Sequence, residues 1–341
     1  MDASLKKKDN RLGWLDFGKA LGMIVVLMVH AGCSLGPVTF YGGMFYMPIF
    51  FVAAGYTYRC RPEVSYGSFL KKKAERLLLP YFAASAFLWL FFWVKDSVLA
   101  GNPADLKPGS LFGIFYSRNQ MYAAGYAGEN PVLMDILNAP LWFLTAMFLV
   151  YAYYELLSRS RRKYLWLGTG LLASFAWNAA GNGLLLPWSL DGVPYFALFF
   201  AAGEGLREHG SMEKLGKQPF QVMGLLALFL VLPRLNGSVN LSCGEYGRSM
   251  GLYLFIGTAG SILVFLAGSR LERLYPPTVR LLSRIGQETL LILCFHMFLY
   301  MFIRTGAGIL GLGEGAVQAL LVVGSAGILT VMGQMRRKIK E

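Results

Sequence analysis

Acidic side chains are scarce in this chain of 341 residues, where 19 Asp and Glu stand against 32 Lys and Arg for a formal net charge of +13. Cysteine is scarcer still. Cys33, Cys60, Cys243 and Cys294 are scattered without framework spacing, and Cys33 and Cys294 fall inside apolar runs, so they read as packing residues rather than disulfide partners. The three histidines, His30, His209 and His296, lie far apart, and no Cys or His pair is closely spaced; the usual zinc patterns are excluded and no metal is expected. There is no internal repeat, no low-complexity tract and no soluble domain of appreciable size. What the chain has is apolar length. Hydrophobic residues make up 55% of it and the mean hydropathy is +0.48. That is too apolar for a soluble globular protein, and the runs are too many for one signal peptide.

Runs long enough to cross a hydrocarbon core of roughly 30 Å start near residues 13, 39, 77, 141, 164, 190, 219, 249, 286 and 311. They predict an all-α integral membrane protein, a bundle of about ten transmembrane helices forming one domain over 1–341, with one long outer loop at about 95–140. With the N-terminus inside, 25 of the 32 basic residues fall in inner loops and tails, including Lys6, Lys7 and Lys8, the group from Arg59 to Arg76, and Arg336 to Lys340. Only six, Lys95 and Lys107 among them, fall outside. Both termini are therefore expected in the cytoplasm. Basic loops beside anionic lipid account for the net charge, so membrane lipid is the expected partner and nucleic acid is not.

The first run carries three ionisable side chains, Asp16, Lys19 and His30, in an otherwise apolar helix. Such groups inside a membrane span are functional suspects. The step from Lys19 to His30 is almost three whole turns, so the two share a face, roughly 16 Å apart along the axis. Asp16 sits one turn before Lys19 and can pair with it. His296, in the Cys294-Phe295-His296 stretch of a late run beginning near Thr289, reaches a comparable depth. The plain alternative is that both imidazoles are hydrogen-bonded core residues and Asp16 with Lys19 an interfacial pair.

Elsewhere, a second run from Phe45 to Tyr56 contains Pro48 and small residues that let helices approach closely. The basic stretch from Lys71 to Arg76 enters the third run, either as a positive-inside anchor or as a binding element. Tyr116, Arg118 and Asn119 lie in the outer loop, where aromatic rings beside amides and charges can stack on sugars and bond their hydroxyls; tyrosines near a bilayer also form interfacial belts. Trp142 re-enters the membrane at an outer boundary, the usual place of an anchor. Asn178, Asn182, Asp191, Glu204 and Glu245 stand near span ends, as boundary residues or as the lining of a polar cavity.

Taken in order, Leu15-Asp16-Phe17-Gly18-Lys19 with His30, Met47 through Phe51 with Gly55-Tyr56, Lys73 through Pro80, Trp142-Phe143-Leu144 and Cys294-Phe295-His296 resemble the acyltransferase-3 family of integral-membrane O-acyltransferases, in particular its fucose O-acetylase-like branch. The resemblance covers nearly the whole chain. Lys19 stands where many members have Arg, Lys73-Ala74-Glu75-Arg76 replaces Arg-x-x-Arg, and Ala54-Gly55 replaces Ser-Gly. Lys keeps the charge and loses the bidentate fork for phosphate.

The resemblance implies transfer of an acetyl group from cytoplasmic acetyl-CoA to a hydroxyl of an envelope glycan or lipid-linked sugar, in a bacterial inner membrane. An alcohol attacking a thioester must lose its proton, and a neutral imidazole suits that task, so His30 is the expected general base, with His296 as a second catalytic candidate at overlapping depth and an acyl-His intermediate as a variant route. Lys19, Lys73 and Arg76 would meet the CoA phosphates, and Asp16, Tyr116, Arg118, Asn119 and Trp142 the acceptor. A transporter or flippase for a lipid-linked sugar would also use midplane ionisable groups, and a membrane sensor would show no turnover. Against transport, the charged groups concentrate in the first three spans and the chain halves show no repeat.

Overall fold

The computed structural model describes residues 11–99, 108–123, 126–180 and 183–340; Lys6, Lys7, Lys8, Lys107 and Asn182 lie outside them. The described residues form helices α1 (Gly13–His30), α2 (Pro37–Phe45), α3 (Pro48–Thr57), α4 (Tyr66–Trp93), α5 (Pro108–Tyr116), α6 (Trp142–Ser158), α7 (Lys163–Ala179) and α8 (Val193–Glu208). Then follow α9 (Ser211–Gly216), α10 (Pro219–Asn236), α11 (Met250–Leu274), α12 (Pro276–Gln287), α13 (Thr289–Ile309), α14 (Glu314–Ala319) and α15 (Ser325–Lys340). Among these residues β structure is limited to isolated bridges such as Tyr122 with Leu184.

Eight helical spans among the described residues are long and apolar enough to cross a membrane: α1, α2 with α3, α4, α6, α10, α11, α13, and α14 with α15. Pro48 breaks the α2–α3 span because it has no N–H to continue the ladder. The other two expected runs fold as α7 and α8, of 17 and 16 residues. α8 is shortened because the chain from Pro187 to Leu190 makes a tight turn, with Trp188 and Ser189 at positive φ. α4 starts eleven residues before the expected position, capped by Ser65, whose Oγ accepts from the Ser68 N–H at 3.2 Å. Lys71 to Arg76 are consequently helical.

Close backbone approach sets the core. A Cβ added to Gly55 would lie 1.8 Å from the Phe200 carbonyl oxygen, and one on Gly203 would lie 2.0 Å from that of Val52. α3 and α8 therefore touch backbone to backbone, the role small residues have in membrane bundles. Buried Phe51, Phe196, Phe199 and Phe200 fill the space around this crossing, Phe51 stacking on Phe196 at 5.2 Å. Leu79, Phe87, Leu90 and Trp93 of α4 and Leu226, Leu230 and Leu235 of α10 stay exposed on the outer surface, where a bilayer would cover them.

One stretch expected as an inner loop is structured. Residues 276–287 form α12, which lies along α1: a Cβ on Gly286 would meet the Asp16 carbonyl oxygen at 1.8 Å, and the Ser283 hydroxyl donates to the Gly13 carbonyl at 2.9 Å. Its polar residues had masked a helix whose apolar face needs a partner.

Candidate functional site

His30 ends α1 and His296 lies two turns into α13; His30 Nδ1 and His296 Nε2 are 2.8 Å apart, with the rings stacked at 5.0 Å. His296 is fully buried, and its Nδ1 faces the carbonyls of Ile292 at 2.9 Å and Leu293 at 3.2 Å. A ring nitrogen between carbonyl oxygens must carry a hydrogen, so in the neutral ring Nε2 is the acceptor. The donor across the 2.8 Å contact is then His30 Nδ1–H. That tautomer leaves the lone pair of His30 on Nε2. Two bonds hold α1 against α13 here: the Tyr300 hydroxyl donates to the Leu27 carbonyl at 2.8 Å, and Arg304 to that of Ala31 at 3.1 Å.

One helical turn below the pair, at Val26 and Leu293, an apolar cavity of about 200 Å³ begins, lined also by Met23, Phe50, Phe143 and Met147. At its other end stand Lys19, Lys73 and Arg76. The structure thus brings three expected phosphate contacts to one mouth. Lys19 pairs with Asp16 at 2.5 Å. Lys73 Nζ sits 3.5 Å from the Tyr151 ring centroid, a cation–π contact between two residues of the cavity lining. Arg76 is exposed and has no hydrogen-bond or ion-pair partner among the described residues.

Thr57 and Lys73 also line an adjoining cavity of about 290 Å³ together with Arg59, Arg61, Lys72 and Phe69. Sequence reasoning had counted Arg59 and Arg61 only as part of the basic inner loops, and Lys72 within a run read as either an anchor or a binding element. Glu155, also on the lining, is 1% exposed, accepting from Tyr58 at 2.6 Å and pairing with Arg159 at 2.6 Å. Its charge is thereby neutralised, and the basin's exposed cations are left for an anion. The signal in the sequence was the density of cations between two spans, which a topological anchor would equally produce.

The expected acceptor contacts are placed elsewhere. Arg118 is 1% exposed, and its guanidinium makes bonds of 2.7 Å to both Asp191 carboxylate oxygens, 3.1 Å to Ser189 and 3.2 Å to the Leu186 carbonyl. It clamps the connection that follows α5 to the α7–α8 connection. The Tyr116 hydroxyl donates to the Leu185 carbonyl at 2.7 Å in the same seam. Asn119 is half-buried beside them, its main-chain carbonyl accepting from Leu133 N–H at 2.9 Å. Trp142 is 5% exposed, packed edge-on against Phe143, so it is a core residue and no boundary anchor. Asp16, 7% exposed, faces Lys19.

These elements have a family counterpart. No curated protein and no solved structure matches the chain. A family model, described as an acyltransferase domain, matches residues 12–333, a stretch that contains the histidine pair, the apolar cavity and the basic mouth. That match favours enzyme over transporter, and the chain belongs to the acyltransferase-3 family of membrane acyltransferases.

Proposed function

We propose that the protein is a membrane O-acetyltransferase that takes acetyl from cytoplasmic CoA and delivers it to a sugar hydroxyl of an envelope glycan or lipid-linked precursor, in keeping with the fucose O-acetylase-like branch. The carrying observation is the path itself: a basic mouth with Lys19, Lys73 and Arg76 opens into an apolar cavity that stops one turn below His30. A CoA thioester has that polarity, with phosphates at one end, a long uncharged arm and a reactive carbonyl at the other. Arg59, Arg61 and Lys72 widen the cationic surface for the nucleotide phosphates.

His30 Nε2 takes the proton of the acceptor hydroxyl as its oxygen bonds to the thioester carbonyl carbon. The tetrahedral adduct then collapses, the C–S bond breaks, and the CoA thiolate leaves with the proton returned by His30. His296 touches no solvent; its part is to hold His30 in the tautomer that presents Nε2. Incubation of the purified protein with radiolabelled acetyl-CoA and envelope glycan tests the reading. Label moving to glycan supports it; hydrolysis alone, or no consumption, sinks it.

Arg76→Ala is expected to raise KM for acetyl-CoA about tenfold with kcat little changed, because it removes a charge-assisted contact made equally in ground and transition states. An unchanged donor KM would reduce Arg76 to an anchor.

The ten helical runs, α7 and α8 included, would all span the membrane, with both termini and the basic mouth in the cytoplasm. A cysteine replacing exposed Glu129 should react with an impermeant maleimide in intact cells. Reaction only after lysis would invert the orientation.

A further inference from the structure

A second cavity, of about 550 Å³, lies between the ends of α7, α8, α10 and α11 and has no part in the mechanism above. Phe51 packs on Phe196 and Tyr58 on Phe200, so α3 and α8 run in the same direction. The start of α8, where this cavity opens, is therefore at the His30 end of the bundle, opposite the basic mouth. The size falls within the roughly 300–1,000 Å³ of small-molecule sites.

Its walls are built and fixed. The Trp177 indole N–H donates to the Leu184 carbonyl at 2.8 Å, so the ring is held by its edge. Tyr126 lies parallel to Tyr122 at 3.9 Å. Ala123 N–H donates to the Gly183 carbonyl at 2.7 Å, and Asn236 bonds Tyr246 and Ser249 at 2.9 and 3.1 Å, tying the three connections that enclose the space. The opening they leave carries polar side chains with no hydrogen-bond partner among the described residues, Asn178, Glu245 and Arg248 among them.

The charges decide what would fill it. Asp191 is neutralised by Arg118. Glu245 and Arg248 remain, one of each sign, and neither side chain makes a hydrogen bond or ion pair with another described residue. A cavity with no net charge has nothing to select phosphate or a metal cation, unlike the basic mouth. A carboxylate, a guanidinium and the Asn178 amide beside two fixed aromatic rings match a ligand with an apolar C–H face and an edge of hydroxyls.

We propose that this cavity is a saccharide-binding subsite, with Trp177 as stacking platform and Glu245 and Asn178 as hydroxyl partners, holding a neutral sugar unit of the acceptor glycan away from the unit that is acetylated. It rests on the proposed function only for the use made of the bound sugar.

The test is saturation-transfer NMR on the full chain in lipid nanodiscs, with a panel of neutral tetrasaccharides of glucose, galactose, mannose and N-acetylglucosamine. At least one should bind saturably. Trp177→Ala and Glu245→Gln should each weaken that binding at least tenfold at unchanged melting temperature, Trp177→Phe should preserve it within a few-fold, and His30→Ala should leave it intact. Absence of binding across the panel overturns the proposal. So does binding indifferent to Trp177→Ala and Glu245→Gln, or displacement by phosphoethanolamine in place of sugars, which would assign the cavity to a lipid headgroup. A protein that transfers acetyl yet binds no saccharide here loses the subsite and keeps the function; one that binds saccharide without transfer does the reverse.

Discussion

His30→Ala is expected to lower kcat for acetyl transfer about a thousandfold, equivalent to about 4 kcal/mol of transition-state stabilisation, within the range a positioned general base supplies. The substitution removes the only nitrogen of the pair whose lone pair is free, since His296 Nε2 already accepts from His30 Nδ1–H and its Nδ1 donates to backbone carbonyls. It also leaves His296 Nε2 buried without its partner, at about 1–3 kcal/mol of stability, so the melting temperature of the solubilised protein must be measured beside the rate. Wild-type turnover by the folded variant would remove His30 from the chemistry. His296 sharpens the point. His296→Gln keeps an oxygen able to accept from His30 and should retain more of kcat than His296→Leu, which is expected to lose about tenfold. Equal rates for the two would deny the tautomer-fixing role.

Much of this site follows from local helix geometry, which sequence carries well. The eleven-residue step from Lys19 to His30 and the three-residue step from Lys73 to Arg76 give shared faces whatever the helix packs against. The pairing of His30 with His296 spans 266 residues and depends on how α1 and α13 dock; sequence supplied a common depth, and the packing supplied the facing sides. Trp142 was misplaced because an aromatic at the start of an apolar run looks the same whether it meets headgroups or a neighbouring helix. Only the packing of Phe143 and Phe196 distinguishes them. Asn178, Asp191 and Glu245 were legible as residues at span ends, but the cavity they share comes from three connections far apart in the chain. α12 was hidden by its basic residues, which belong to its exposed face.

Arg118→Met is expected to destabilise the solubilised protein by about 3–5 kcal/mol, the cost of leaving a buried carboxylate without its partner. A polar arginine in a stretch expected to be an outer loop invites a sugar-contact reading, and nothing near it in sequence marks it as buried. Its partner Asp191 is 73 residues away and its exposure is 1%. Both carboxylate oxygens are engaged by one guanidinium nitrogen at 2.7 Å, and Oδ1 also accepts from Leu186 N–H at 3.0 Å, so loss of Arg118 leaves Oδ2 without a hydrogen-bond partner among the described residues. Asp191→Asn in the Arg118→Met background removes the stranded charge and should recover part of the loss, because truncating one partner is worse than neutralising both. The readouts are thermal unfolding and, in the fraction still folded, acetyl transfer. Lower stability with KM for the acceptor unchanged assigns Arg118 to the clamp. A raised acceptor KM at unchanged stability would return Arg118 to the substrate, and the geometry of its four bonds would then have to be remade on binding.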